Sequence, residues 1–147
     1  MRNLLALLVL GCIAGCGGPT YDVVPVSGVV TYNGKPLAGA QIQFQPRSPD
    51  AEKDTNPGPG SFAHTDDQGH FSAEVVDPPG EGAVIGIHHV VISTQQEVDP
   101  TDDSGRLTRE KLPPRYRNGF EITISGPTDS LNIDLTKDPR KFVPPGS

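Results

Sequence analysis

Apolar and polar positions alternate with period two along much of this chain. Val24, Val26, Gly28, Val30 and Tyr32 alternate with Pro25, Ser27, Val29 and Thr31, and Asn33-Gly34 supplies the positive backbone dihedrals of a tight reversal, so a strand and a turn are expected. Gln41-Ile42-Gln43-Phe44-Gln45 predicts a strand with Ile42 and Phe44 inward, a wet glutamine face outward, and Pro46 at its end. Segments 61–66 and 70–76, joined by Asp66-Asp67-Gln68-Gly69, predict a hairpin with Phe71, Ala73 and Val75 on one side. The most apolar run, 83–93, contains Val90-Val91-Ile92 and predicts a strand covered on both faces, or nearly so, at the centre of the core. Segments 120–124 and 131–135, separated by Gly126-Pro127-Thr128-Asp129-Ser130, predict a closing hairpin.

Between these segments the pattern fails. Residues 47–60 hold three prolines and no apolar period, and 94–111 turn polar and acidic with Leu107 as the one large apolar residue before the end, so both predict long loops, the second with a helical turn near 108–111. Residues 137–147 hold three prolines and predict a mobile tail. With 17 Gly and 16 Pro in 147 residues, a helical bundle or coiled coil is excluded. The expected fold is all-β: a seven-stranded antiparallel Greek-key β-sandwich, with a small closed barrel as the alternative that periodicity does not separate from it. Val26, Val30, Ile42, Phe44, Phe71, Val90 and Ile122 are expected to meet in one dry interior.

The start of the chain reads as an address. Met1-Arg2-Asn3 is a short cationic start, and the apolar run from Leu4 to Ile13 is too short to cross a bilayer as a helix but suits a signal-peptide core. Ile13-Ala14-Gly15-Cys16 resembles the bacterial lipobox, which implies diacylglycerol on the Cys16 thiol and cleavage before it. The expected organisation is a signal peptide at 1–15, a lipidated tether at 16–22, the β domain at 23–136 and the tail at 137–147. Cys12 leaves with the signal and Cys16 is committed to lipid, so no disulfide is expected and the core alone must hold the domain. The implied partner is a membrane, held through acyl chains and not crossed. Gly17 after Cys16, where Asp is associated with inner-membrane retention, favours the outer membrane of the cell envelope.

Charge removes one class of partner. Acidic residues exceed basic ones by 18 to 12, so no basic face tracks a phosphate backbone, and nucleic acid is excluded. Four histidines, His64, His70, His88 and His89, are the candidate metal ligands or bases; His88 and His89 are adjacent in a strand and point to opposite faces, so they do not clasp one ion. Pro100-Thr101-Asp102-Asp103-Ser104-Gly105 fails the calcium-loop pattern, with Pro100 and Lys111 where carboxylates are needed, which leaves Asp99, Asp102 and Asp103 as weak calcium candidates at most.

Val26-Ser27-Gly28-Val29-Val30-Thr31-Tyr32-Asn33-Gly34-Lys35-Pro36-Leu37, followed by Gly39-Ala40 and the alternating strand to Phe44, resembles the opening of carboxypeptidase regulatory-like domains, the transthyretin-like sandwiches. Thr65-Asp66-Asp67-Gln68-Gly69-His70-Phe71 is similar to the hairpin of that family, and Leu112-Pro113-Pro114-Arg115-Tyr116 to the end of small bacterial lipoproteins built on the domain. The resemblance implies a seven-stranded sandwich in which Gly28 permits close sheet packing and Pro36 ends the first strand. It implies little about activity. Hydroxyisourate hydrolases of related fold end in Tyr-Arg-Gly-Ser, where this chain has Pro144-Pro145-Gly146-Ser147, and the spaced histidines of intradiol dioxygenases are missing. No nucleophile elbow or phosphate loop is present. The expectation is therefore a non-catalytic, cofactor-free envelope lipoprotein acting as a structural or binding module. Two alternatives stand beside it: a carbohydrate- or calcium-binding accessory protein using loops 47–60 and 94–111, and a hydrolase with His64, His70 and an acid in one cleft.

Overall fold

The inward positions of the alternating segments converge. In the computed structural model, which describes residues 20–50, 56–98, 101 and 105–146, Val26, Val30, Ile42, Phe44, Phe71, Val90 and Ile122 are all buried to 5% exposure or less and belong to one core cluster. Six strands form the larger sheet in the order β11 (Phe120–Ile124), β10 (Gly86–Ser93), β4 (Gln41–Arg47), β5 (Ser61–His64), β7 (Glu74–Val75) and β8 (Gly80–Glu81), each neighbour antiparallel. The smaller sheet sets β12 (Thr128–Leu135) beside β2 (Val26–Tyr32), with β3 (Lys35–Pro36) and β6 (His70–Ser72) also paired to β2. A short ribbon joins β1 (Val23–Val24) to β9 (Ala83–Val84). The six-stranded order ends at β11 and β8, which do not pair with each other, so the larger sheet is open.

The period-two alternation holds in these strands. Asn33 and Gly34 take φ of 51° and 73°, the left-handed pair that a two-residue hairpin needs, and reverse β2 into β3. Gln41, Gln43 and Gln45 are exposed while Ile42 and Phe44 are fully buried. The first long strand, β2, closes at Tyr32 and Pro36 is instead the last residue of β3, while Pro46 lies within β4, which runs on to Arg47.

Pairing partners depart from the expectation in several places. Segments 61–66 and 70–76 do not make a simple hairpin: β5 stays in the larger sheet while β6 crosses to β2, and only β7 returns to pair with β5. The closing hairpin is likewise absent, since β11 pairs with β10 and β12 with β2, in different sheets. Ile122 and Ile124 thus enter the core from one sheet, and Ile133 and Leu135 from the other. The β12 pairing with β2 is parallel, so the expectation of a wholly antiparallel fold is corrected at that one junction. The 83–93 run is broken at Ile85, which is 42% exposed and donates its N–H to Asp22, and in β10 only one face is fully dry.

The helical turn also lies elsewhere. It spans α1 (Pro114–Asn118), where Pro114 at the first turn has the fixed φ a helix start favours and no N–H to leave unpaired. Tyr116 projects from α1 into the core with no exposed surface. Its hydroxyl donates to the Thr136 carbonyl at 2.8 Å and accepts from the Thr136 N–H at 2.9 Å. The expected free tail is corrected by the same cluster. After one 3₁₀ turn at Pro139–Lys141, Phe142 is buried with its ring 5.3 Å from Tyr116 and 4.7 Å from Phe120. An isolated aromatic has no period to announce it, yet its burial outweighs the entropy of a free terminus. Replacing Tyr116 with Phe leaves both Thr136 backbone groups without that partner; the urea midpoint should fall by the equivalent of about 1–2 kcal/mol, with faster proteolytic trimming after Thr136.

Candidate functional site

The candidate histidines do not assemble. His64 is exposed on the outer face of β5, and His70 is exposed on β6 in the other sheet. His88 turns inward from β10 with no exposed surface, its ring edge-on to Phe44. His88 Nε2 lies 2.7 Å from the Val84 carbonyl oxygen, which only accepts, so Nε2 carries the proton and Nδ1, without a partner, is the lone-pair nitrogen. Burial pushes its pKa below the usual imidazole range against the opposing pull of the Val84 bond, so the ring is neutral and structural. Among the described residues no three His, Cys, Asp or Glu side chains gather as a metal site requires. Cys16, Asp99, Asp102 and Asp103 lie outside the described residues, as do the signal segment and the first part of the tether.

What the chain does build is a groove at the end of β10. After Ser93, residues 94–98 and 105–111 lie side by side as a narrow ribbon. Thr108 N–H donates to the Gln96 carbonyl at 2.7 Å, Val98 N–H to the Arg106 carbonyl at 2.8 Å, and Glu97 bridges Leu107. Gln41, Ser93, Gln95, Gln96, Glu97 and Leu107 line an open groove of about 550 Å³ between this ribbon and β4. Gln96 Nε2 donates to the Gly39 carbonyl at 2.9 Å and ties the ribbon to the turn before β4. That turn is fixed from below by Thr65, whose hydroxyl donates to the Leu37 carbonyl at 2.6 Å and accepts from the Ala40 N–H at 2.8 Å.

Glu110 holds the base of the ribbon. Its carboxylate accepts from the Ser93 hydroxyl at 2.7 Å, from both the hydroxyl and the N–H of Thr94, and from the N–H groups of Lys111 at 2.9 Å and Leu112 at 3.0 Å. Burial raises the carboxyl pKa, but hydrogen bonds from the Thr94 and Ser93 side chains and the Leu112 and Thr94 N–H groups outweigh it, taking it from 4.5 to about 2. So weak a base does not activate the Ser93 hydroxyl it holds; the pair positions the loop. Side-chain amides along the groove both donate and accept, and among the described lining residues Glu97 is the one carboxylate.

No family model matches this chain, and comparison with curated proteins and with solved structures finds no match. No helix among the described residues is long and apolar enough to cross a membrane. Topology then orients the molecule. The chain enters at β1, paired with β9 just before β10 begins, whereas the groove opens where β10 ends; eight residues of strand separate the two, about 23 Å at 3.3 Å per step. Glu110, Thr65 and Gln96 were not legible as a unit in the sequence. The only trace was an acid in a polar stretch, which reads equally as a solvated loop.

Proposed function

We propose that this chain is a non-catalytic, lipid-anchored protein of the cell envelope, preferably at the outer membrane, in which the β domain serves as a structural or binding module. The observation that carries the reading is Ile13-Ala14-Gly15-Cys16 behind a ten-residue apolar run, set ahead of a body made of strands. The domain is a seven-stranded Greek-key sandwich of transthyretin-like type, an assignment supported by the seven strands of three or more residues, β2, β4, β5, β6, β10, β11 and β12. Its contact surface is the groove beside the 94–111 loop. Three amides among the six described lining residues support a neutral, hydroxyl-rich ligand such as a glycan. A hydrolase is disfavoured by the placement of His64 and His70 on different sheets, both exposed.

Replacing Cys16 with Ser tests the anchor. The wild-type protein should partition with membranes and the variant with the soluble fraction, read by fractionation and by metabolic labelling with a fatty acid; an unlabelled wild type, or an unchanged partition, removes the proposal.

A further inference from the structure

The end of the domain nearest the start of the chain is unusually apolar. Thr20, Tyr21 and Val23 line one groove together with Pro78, Pro79 and Gly80. Beside it the β7–β8 hairpin presents Val76, 57% exposed, at its tip, and Val23 is 40% exposed on β1. Pro78 and Pro79 are exposed as well. A second groove on the other flank of the same hairpin shares Val75, Pro79 and Gly80 and continues the apolar surface to Phe62, 38% exposed. Nothing in the fold covers this tip among the described residues.

Covalent geometry places it. Only three residues lie between Cys16 and Thr20, so the four steps reach at most about 14 Å even when fully extended. We propose that the hairpin tip at Val76, Pro78 and Pro79, with Val23 beside it, is a second, non-covalent contact with the bilayer that holds the Cys16 lipid. It stands the domain upright, with the groove of the 94–111 loop facing away from the membrane. The inference rests on the lipid-anchor reading above, because the anchor supplies the proximity.

Charge sets the depth and the preferred surface. Asp22, Glu74, Asp77 and Glu81 are all exposed around the tip, so the apolar side chains reach only the headgroup boundary before these carboxylates meet it. Such a contact favours zwitterionic over anionic lipid. A protein so held has one orientation, whereas a tether alone leaves the body to tumble.

The chain has no Trp, so one introduced residue is the sole indole reporter. Full-length acylated protein carrying Val76→Trp, and separately Gln68→Trp on the exposed turn at the opposite end of β5, would be reconstituted into phosphatidylcholine vesicles with and without dibrominated lipid. Trp at 76 should shift its emission to the blue and lose most of it to bromine, Trp at 68 should do neither, and added phosphatidylglycerol should weaken the quenching. Co-sedimentation of each variant with and without Cys16→Ser reads the anchor independently. Vesicle binding that depends on Cys16 with no quenching at 76, or with equal quenching at both positions, overturns the docking and leaves the anchor standing. Binding indifferent to Cys16 overturns the anchor, and the docking falls with it.

Discussion

Gly28→Ala should cost the domain about 3–5 kcal/mol. Gly28 lies opposite Leu131 where β12 joins β2 and the register between Thr128 and Leu131 is irregular. A Cβ added at Gly28 would stand 2.0 Å from the Leu131 carbonyl oxygen and 2.6 Å from its carbon, both backbone atoms that no rotamer change removes. β12 must then move away from β2, and it carries Ile133 and Leu135, which are 1% and 0% exposed in the core. Losing their burial accounts for the size of the effect, since a fully buried Ile or Leu contributes about 1.5–3 kcal/mol. Gly126→Ala is the control: its added Cβ meets nothing within 4 Å, and its stability should stay within about 0.5 kcal/mol of wild type. Urea midpoints of the two variants decide the matter. Equal midpoints for Gly28→Ala and wild type would mean that β12 does not lie tightly against β2 at this position.

Gly28 also marks how far the sequence could be read. A glycine in an otherwise β-branched strand signals a close backbone approach, and the approach is there, yet nothing in the strand says that the partner is 103 residues away along the chain, as it is for the Thr31 hydroxyl bonded to Asp134. Period two tells which face of a strand is dry, so Ile42, Phe44 and Val90 were legible; it does not tell which strand lies alongside. This is why the sequence predicts hairpins of β6 and β12 with their sequence neighbours when both belong with β2. Phe142 failed for another reason, because one aromatic among prolines has no pattern until Tyr116 and Phe120 are beside it. The groove is a tertiary product throughout. Its amides are spread over β4 and the loop, and the loop's shape depends on a carboxylate whose donors lie sixteen and seventeen residues earlier.

That carboxylate makes the second large prediction. Glu110→Ala removes the acceptor shared by Ser93, Thr94, Lys111 and Leu112, and the unpaired N–H groups should lower stability by about 3 kcal/mol. Glu110→Gln keeps one oxygen but loses the charge and should cost about 1–2 kcal/mol near neutral pH. The two forms should differ in how stability follows acid. In the folded chain the Glu110 carboxyl titrates at about 2 against an ordinary 4.5, so on acidification the unfolded chain takes up the proton first. Stability from this group is therefore fully present above pH 4.5, declines as pH falls below it, and is gone below about 2. With solvent screening of a half-buried group, the wild type should lose about 2 kcal/mol through that window beyond any loss in Glu110→Gln. The gap between the two should close as pH drops, and amide exchange at Gln96, Val98 and Thr108 should quicken in the variant first. A gap that is constant from pH 6 to pH 2, or slow exchange at those three amides in Glu110→Gln, would show that the 94–111 ribbon holds its shape without the carboxylate, and the groove would then owe its form to Gln96 and Gly39 instead.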